Sequence, residues 1–274
     1  MVSESTQAVI THYERRHEIR GNVFGQQPYA NYGYWTRPGL TIEQASEALT
    51  DLVAASAGLG RDDHVLDVGC GYGAGAVKFV QRYAVDHVTG IDVTPVRIAS
   101  GHDYVAQHGL SSSITLQEGD ATNMAFEAAS FDKLVSVECA FHFDTRVDFL
   151  REAARVLKPG GTLALTDIIP RRGANPDDYL LGERTTHSNV CLDMPVNAYD
   201  AEVYAGHLRE AGFDLVQIIS ILEWTRIPFA DALQRVADAS EGERAEAITR
   251  MVMRIRQLVE LGEDYVLVVA RRAP

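Results

Sequence analysis

Apolar residues along this chain switch between two periods. Val65, Leu66 and Val68 form a short run closed by glycines, and from Ala74 to Tyr83 the apolar positions take helical spacing. The alternation continues: a strand at 87–92, a helix at 95–108 opened by Thr94 and Pro95, a strand at 114–118, a strand at 132–138, a helix at 145–157 and a strand at 162–168. Two further strands are expected at 213–222 and 265–270. Strands alternating with helices predict an α/β fold with a doubly wound, mostly parallel seven-stranded sheet, whose ligands bind beyond the carboxyl ends of the strands.

The flanks read differently. Residues 5–20 form a polar helix, and 21–39 are rich in glycine and aromatics. Residues 41–57 form a helix with Thr41 as N-cap and Gln44 completing a capping box. Residues 170–199 show no period, 200–211 form a helix ended by Gly212, and 228–261 are helical, a late hairpin before the last strand. The expected organisation is an N-terminal arm and aromatic cap (1–60), a ligand-binding core (61–169), lid segments (170–199 and 224–262) and the remainder of the sheet (200–223 and 263–274).

The net charge of −13 repels phosphate backbones and argues against a nucleic-acid partner. No run of about 18 apolar residues suggests a membrane span, and the N-terminus lacks the basic and apolar regions of a signal peptide. Cys70, Cys139 and Cys191 make no C-x-x-C pair, so a cytoplasmic protein with reduced thiols is expected. No histidines and acids cluster at metal-ligand spacing, so no metal is expected.

The chemistry concentrates at residues 65–75, Val-Leu-Asp-Val-Gly-Cys-Gly-Tyr-Gly-Ala-Gly. Gly69, Gly71 and Gly73 allow a sharp turn and close ligand approach. Gly71, Gly73 and Ala76 also fit a dinucleotide fingerprint, with Asp92 as its distal acid. Asp67 argues against that ligand, because a carboxylate repels a pyrophosphate and welcomes a cation. An acid followed by G-x-G-x-G resembles motif I of the class I S-adenosylmethionine (SAM)-dependent methyltransferases, which have a Rossmann-like fold. Further motifs follow in that family's order: Gly90-Ile91-Asp92, Glu118-Gly119-Asp120-Ala121, Phe131 to Glu138, and the Lys158-Pro159-Gly160-Gly161 turn.

A narrower resemblance rests on Asn31-Tyr32-Gly33-Tyr34-Trp35, Asp92-Val93-Thr94-Pro95, Glu138 to Phe143 and Asp167 to Pro170. These stretches are similar to the macrolide-sugar O-methyltransferases of natural-product biosynthesis and, more loosely, to sterol and tocopherol C-methyltransferases. The resemblance implies SAM as cofactor and S-adenosylhomocysteine as product. It implies cofactor contacts from Tyr34, Asp67, Gly69, Gly71, Gly73, Asp92, Val93, Thr94, Arg97, Asp120, Ala121 and Glu138. Within that set Asp92 takes the ribose hydroxyls and Asp120 the adenine amino group.

Methyl transfer to a hydroxyl needs a base. His142, just past strand four, can serve near neutrality; positioning a substrate is the alternative. The related sugar methyltransferases carry a histidine there, some of them a pair, and here the first of the pair is Phe141. Asp167 could orient His142 or a substrate hydroxyl, or simply cap nearby amides. Glu138 borders the cofactor's methionine end or the substrate. Tyr29, Tyr32 and Trp35, with Phe141 and His142, are candidates to line the substrate pocket, or the aromatics pack the arm. Arg15, Arg16, Arg20, Arg171 and Arg172 read as a solvated face more readily than an anion site.

The expected function is SAM-dependent methylation of a small secondary metabolite at a hydroxyl oxygen, with His142 as base assisted by Asp167. The alternatives are C-methylation of an isoprenoid, with Glu138 steadying a cation, and a cyclase that keeps the fold without transferring methyl. Partners are small molecules, and the N-terminal helix leaves room for a homo-oligomer.

Overall fold

The computed structural model describes residues 3–18, 28–175 and 195–274. Arg20, Cys191 and most of the expected 170–199 lid lie outside the described residues. The sheet comprises β1 (His64–Val68), β2 (His87–Asp92), β3 (Ile114–Glu118), β4 (Phe131–Ser136), β5 (Leu157–Pro170), β6 (Phe213–Ser220) and β7 (Glu263–Arg272). The described helices are α1 (Glu4–Glu18), α2 (Ile42–Ala57), α3 (Ala74–Tyr83), α4 (Pro95–Gln107), α5 (Arg146–Val156), α6 (Ala201–Glu210), α7 (Arg226–Asp238) and α8 (Gly242–Glu260).

The strand order is β3-β2-β1-β4-β5-β7-β6. Strands β1 to β5 run parallel, and β7 is antiparallel to both of its neighbours. Strand order reverses between β1 and β4, the switch point where open α/β sheets bind ligands. Register brings the site acids to one edge. Asp67 lies opposite Gly90, Asp92 opposite Glu118, and Tyr265, at the start of β7, opposite Ile168.

The sheet buries both faces. Val65 joins Leu49, Val53 and Phe79 on one side, whereas Leu66 and Val68 join Phe149, Leu150 and Leu208 on the other. Full burial of each such side chain contributes about 1.5–3 kcal/mol. A third cluster fastens the C-terminal hairpin to the arm: Phe229 and Leu233 of α7 and Ile248 and Val252 of α8 pack with Trp35. The Thr41–Gln44 capping box forms as expected.

Three boundaries depart from the sequence reading. The helical run at 228–261 is two helices, broken at 239–241. Strand β5 starts at Leu157 and takes in the Lys158–Gly161 turn, with a register shift against β4 between Phe131 and Lys133. Strand β4 ends at Ser136, so Glu138 falls in the loop, where it takes a left-handed φ of 54°. That conformation costs a non-glycine residue about 1–2 kcal/mol, and such strain gathers at functional sites.

Candidate active site

Asp67, at the end of β1, is 4% exposed. Burial, with Asp92 nearby, pushes its carboxyl up to about 7, and among the described residues no cation pairs with it. The following loop is tied to β2, since Gly69 and Cys70 both donate their N–H groups to the Ile91 carbonyl. Gly69 has φ +76°, and a Cβ there would sit 2.2 Å from Cys139 Sγ. Gly69→Ala therefore loses about 1–2 kcal/mol to the backbone alone, plus the displacement of Cys139. It is expected to lower the melting temperature by at least ~2–4 °C; an unchanged melt would refute the tightness of this turn.

Asp92, at the end of β2, is clasped from three directions. Gly71 N–H donates to Oδ2 at 3.0 Å and Thr94 N–H to Oδ1 at 2.9 Å, while Arg97 Nη1 pairs with Oδ2 at 3.2 Å. Asp120, after β3, accepts from the Thr122 N–H and hydroxyl, both at 2.8 Å.

Glu138 is held by two donors on one oxygen: the Tyr32 N–H at 2.8 Å and the Tyr265 hydroxyl at 2.7 Å both donate to Oε2. Its own N–H donates to Thr166 Oγ1 at 2.9 Å. Burial pushes this carboxyl up to about 8, against the pull of those hydrogen bonds and of Arg226 and Arg16. Asp67 and Glu138 are thus two buried acids whose ionised forms are under-compensated, a setting that favours a cationic ligand.

His142 closes a short 3₁₀ turn (Ala140–His142) after β4. Its Nε2 shares a 2.8 Å hydrogen bond with the Tyr13 hydroxyl of α1, and its Nδ1 is buried with no partner among the described residues. The Phe141 ring lies 4.2 Å from the imidazole, centroid to centroid. Burial holds the imidazole well below its ordinary range, and the charges of His12, Arg97 and Arg16 add to that. These surroundings favour the neutral ring.

Asp167 does not meet His142. Its Oδ2 pairs with Arg146 Nε at 2.8 Å and accepts from the Tyr204 hydroxyl at 3.0 Å. Arg146 also donates to the carbonyls of Asn197 (2.8 Å) and Ile168 (3.2 Å) and lies over the Tyr199 and Tyr204 rings. The pair is a buried clamp at the base of the His142 loop. The expectation that Asp167 assists His142 is corrected accordingly, because Arg146 already claims its carboxylate.

Two cavities share Tyr13, Gly69, Arg97 and Cys139. The first is lined by Asp92, Val93, Thr94, Asp120, Ala121 and His142, the second by Asp67, Tyr29 and Glu138. Most of the expected residues thus converge. Tyr34, Trp35, Phe141 and the ring of Tyr32 do not line either cavity. Tyr34 packs against Trp224, and Trp35 is buried with its Nε1–H donated to the Tyr32 carbonyl. The Tyr32 ring lies beneath the Arg226 guanidinium and beside Phe229, so only its backbone reaches the site. Gly73 serves as the N-cap of α3.

Sequence reasoning missed Tyr13 and Tyr265. Tyr13 had a legible signal, because Thr6, Val9 and Tyr13 form one helical stripe on α1 and all three line the first cavity. Tyr265 had none, since its place follows from the antiparallel insertion of β7.

The methyltransferase-domain family model matches residues 66–165. The erythromycin 3''-O-methyltransferase of Saccharopolyspora erythraea is 35% identical over 219 residues, covering 77% of this chain and 71% of that protein. The 27-O-demethylrifamycin SV methyltransferase of Amycolatopsis mediterranei is 30% identical over 238 residues, covering 86% and 83%. Among solved structures, the [4+2]-cyclase SpnF superposes with a TM-score of 0.78 at 26% identity, covering 100% of this chain and 98% of that one.

Proposed function

This chain belongs to the SAM-dependent methyltransferases of natural-product pathways, and on that premise we propose that it methylates a hydroxyl oxygen of a small secondary metabolite, with His142 as general base. The observation that carries this reading is the His142 imidazole, held unprotonated by burial in the wall of the cavity that also contains Asp92. Two relatives named for O-methylation support it.

The residues fit the cofactor. The under-compensated Asp67 carboxyl suits a cation's amino group, Asp92 a ribose diol, and Asp120 with Ala121 the adenine end. When bound, SAM supplies a sulfonium methyl, an electrophile that leaves sulfur as the acceptor oxygen takes it. The acceptor hydroxyl replaces the Tyr13 hydroxyl at His142 Nε2, which takes the proton as the O–C bond forms. Tyr13 and α1 cover the cleft and exclude water. Glu138 presents Oε1, which accepts no hydrogen bond among the described residues, beside the cofactor's methionine end, Tyr29 helps to shape the acceptor pocket, and Phe141 backs the imidazole from the core.

The experiment is incubation with methyl-labelled SAM and a panel of hydroxylated macrolides and glycosides, read by mass and by carbon NMR. A labelled methoxy carbon is expected. A labelled methyl on carbon would replace this reading with C-methylation. The likeness to a [4+2]-cyclase favours a second reading, in which a product of unchanged mass appears with SAM intact.

A further inference from the structure

The partners of Asp92 leave little room for a diol. A carboxylate offers about four lone-pair positions. Two on Asp92 go to the backbone N–H groups of Gly71 and Thr94, and the Arg97 guanidinium forms an ion pair with Oδ2 at 3.2 Å. Two hydroxyls have to compete with that guanidinium for what remains. The backbone donors belong to the turns that build the cleft, so the side chain must yield.

We propose that Arg97 gates the cofactor site: its guanidinium occupies Asp92 in the free protein, leaves as the ribose hydroxyls arrive, and transmits that change through Tyr13 to His142. The proposal rests on the assignment of the ribose to Asp92. Three further observations support it. The guanidinium lies directly over Gly71, where an added Cβ would come within 2.2 Å of Nη2, so it fills space that the glycine keeps open. Arg97 lines both cavities and stands at their junction. Its Nε is buried with no hydrogen-bond partner among the described residues, so this resting place satisfies the group only in part.

The route to α1 is short. The Arg97 guanidinium sits 4.4 Å from the centroid of the Tyr13 ring and 5.4 Å from that of Tyr72. Tyr13 hydrogen-bonds His142, and Tyr72 shares a 3.1 Å hydrogen bond with His17 of α1. The guanidinium therefore holds the helix that covers the cleft to the acid inside it. Its departure from Asp92 loosens Tyr13 from the imidazole when the cofactor is in place and a proton acceptor is needed.

The test is calorimetric SAM affinity for the wild type, Arg97→Met and Asp92→Ala, with amide hydrogen exchange of α1 in the cofactor-free proteins. Arg97→Met is expected to bind SAM roughly fivefold or more tightly, the lower range of coupling between linked sites, and to exchange faster along α1. Equal or weaker binding by Arg97→Met beside weakened binding by Asp92→Ala would overturn the gate alone. Wild-type affinity in Asp92→Ala would overturn the ribose assignment and the gate with it. Should Arg97→Met not fold, Arg97→Lys, which loses the planar fork, carries the same comparison with a smaller shift in the same direction.

Discussion

His142→Ala is expected to slow methyl transfer by about 10²–10⁴-fold, the ordinary contribution of a positioned base, while calorimetry finds that SAM still binds. The imidazole sits on the loop after β4, and among the described residues its Nε2 is engaged only by a phenol that a hydroxyl can replace. The pH profile sharpens the prediction. Catalysis needs the unprotonated ring. Burial, with His12, Arg97 and Arg16, moves its titration below the ordinary range of about 6.5. The wild-type rate should therefore stay flat down through neutrality and fall only in more acid solution, as the ring gains its proton. A limb above the ordinary imidazole range, or His142→Ala turning over at the wild-type rate, would refute the assignment.

Arg146→Ala is expected to cost about 3–5 kcal/mol of folding stability, because it strands the Asp167 carboxylate in the interior. Both members of this pair are essentially inaccessible, at 1% and 0% exposure. The cost should be largely specific to the broken pair. The double variant Arg146→Met, Asp167→Leu removes both charges and should recover a substantial part of it in urea unfolding. The single variant should also lower turnover by loosening the His142 loop, which Asn197 ties down through the Phe143 carbonyl and the Arg146 N–H. A single-variant loss below about 1 kcal/mol, the range of a surface ion pair, would show that the clamp is dispensable.

The comparison of sequence with structure separates what local pattern can carry from what it cannot. Asp67, Asp92 and Asp120 stand at the ends of consecutive parallel strands, so the strand periods alone placed them at one edge. The capping box of α2 was legible because its partners are three residues apart. Asp167 was read as a strand-end acid and a companion of His142, but β5 runs on to Pro170 and the carboxylate is held by Arg146. Its true partner, Arg146, lies within an ordinary amphipathic helix and meets it only through tertiary packing. The aromatic arm misled in a similar way. Trp35 and the ring of Tyr32 serve the C-terminal hairpin, whose docking site no short motif announces. Tyr265 reaches Glu138 across 127 positions of sequence, and no periodicity encodes such a contact.

The insertion of β7 has a consequence for how the protein is made. Among the described residues β6 pairs only with β7, and β7 lies between β5 and β6. On a ribosome the first five strands can assemble as they emerge, but β6 then waits without a neighbour until α7, α8 and finally β7 have been synthesised. During that interval the apolar edge of β5 is open to other chains. The second hydrogen bond that steadies Glu138 comes from the same late strand. Translation thus exposes a strand edge for as long as it leaves the catalytic pocket unfinished, and a single insertion event ends both conditions.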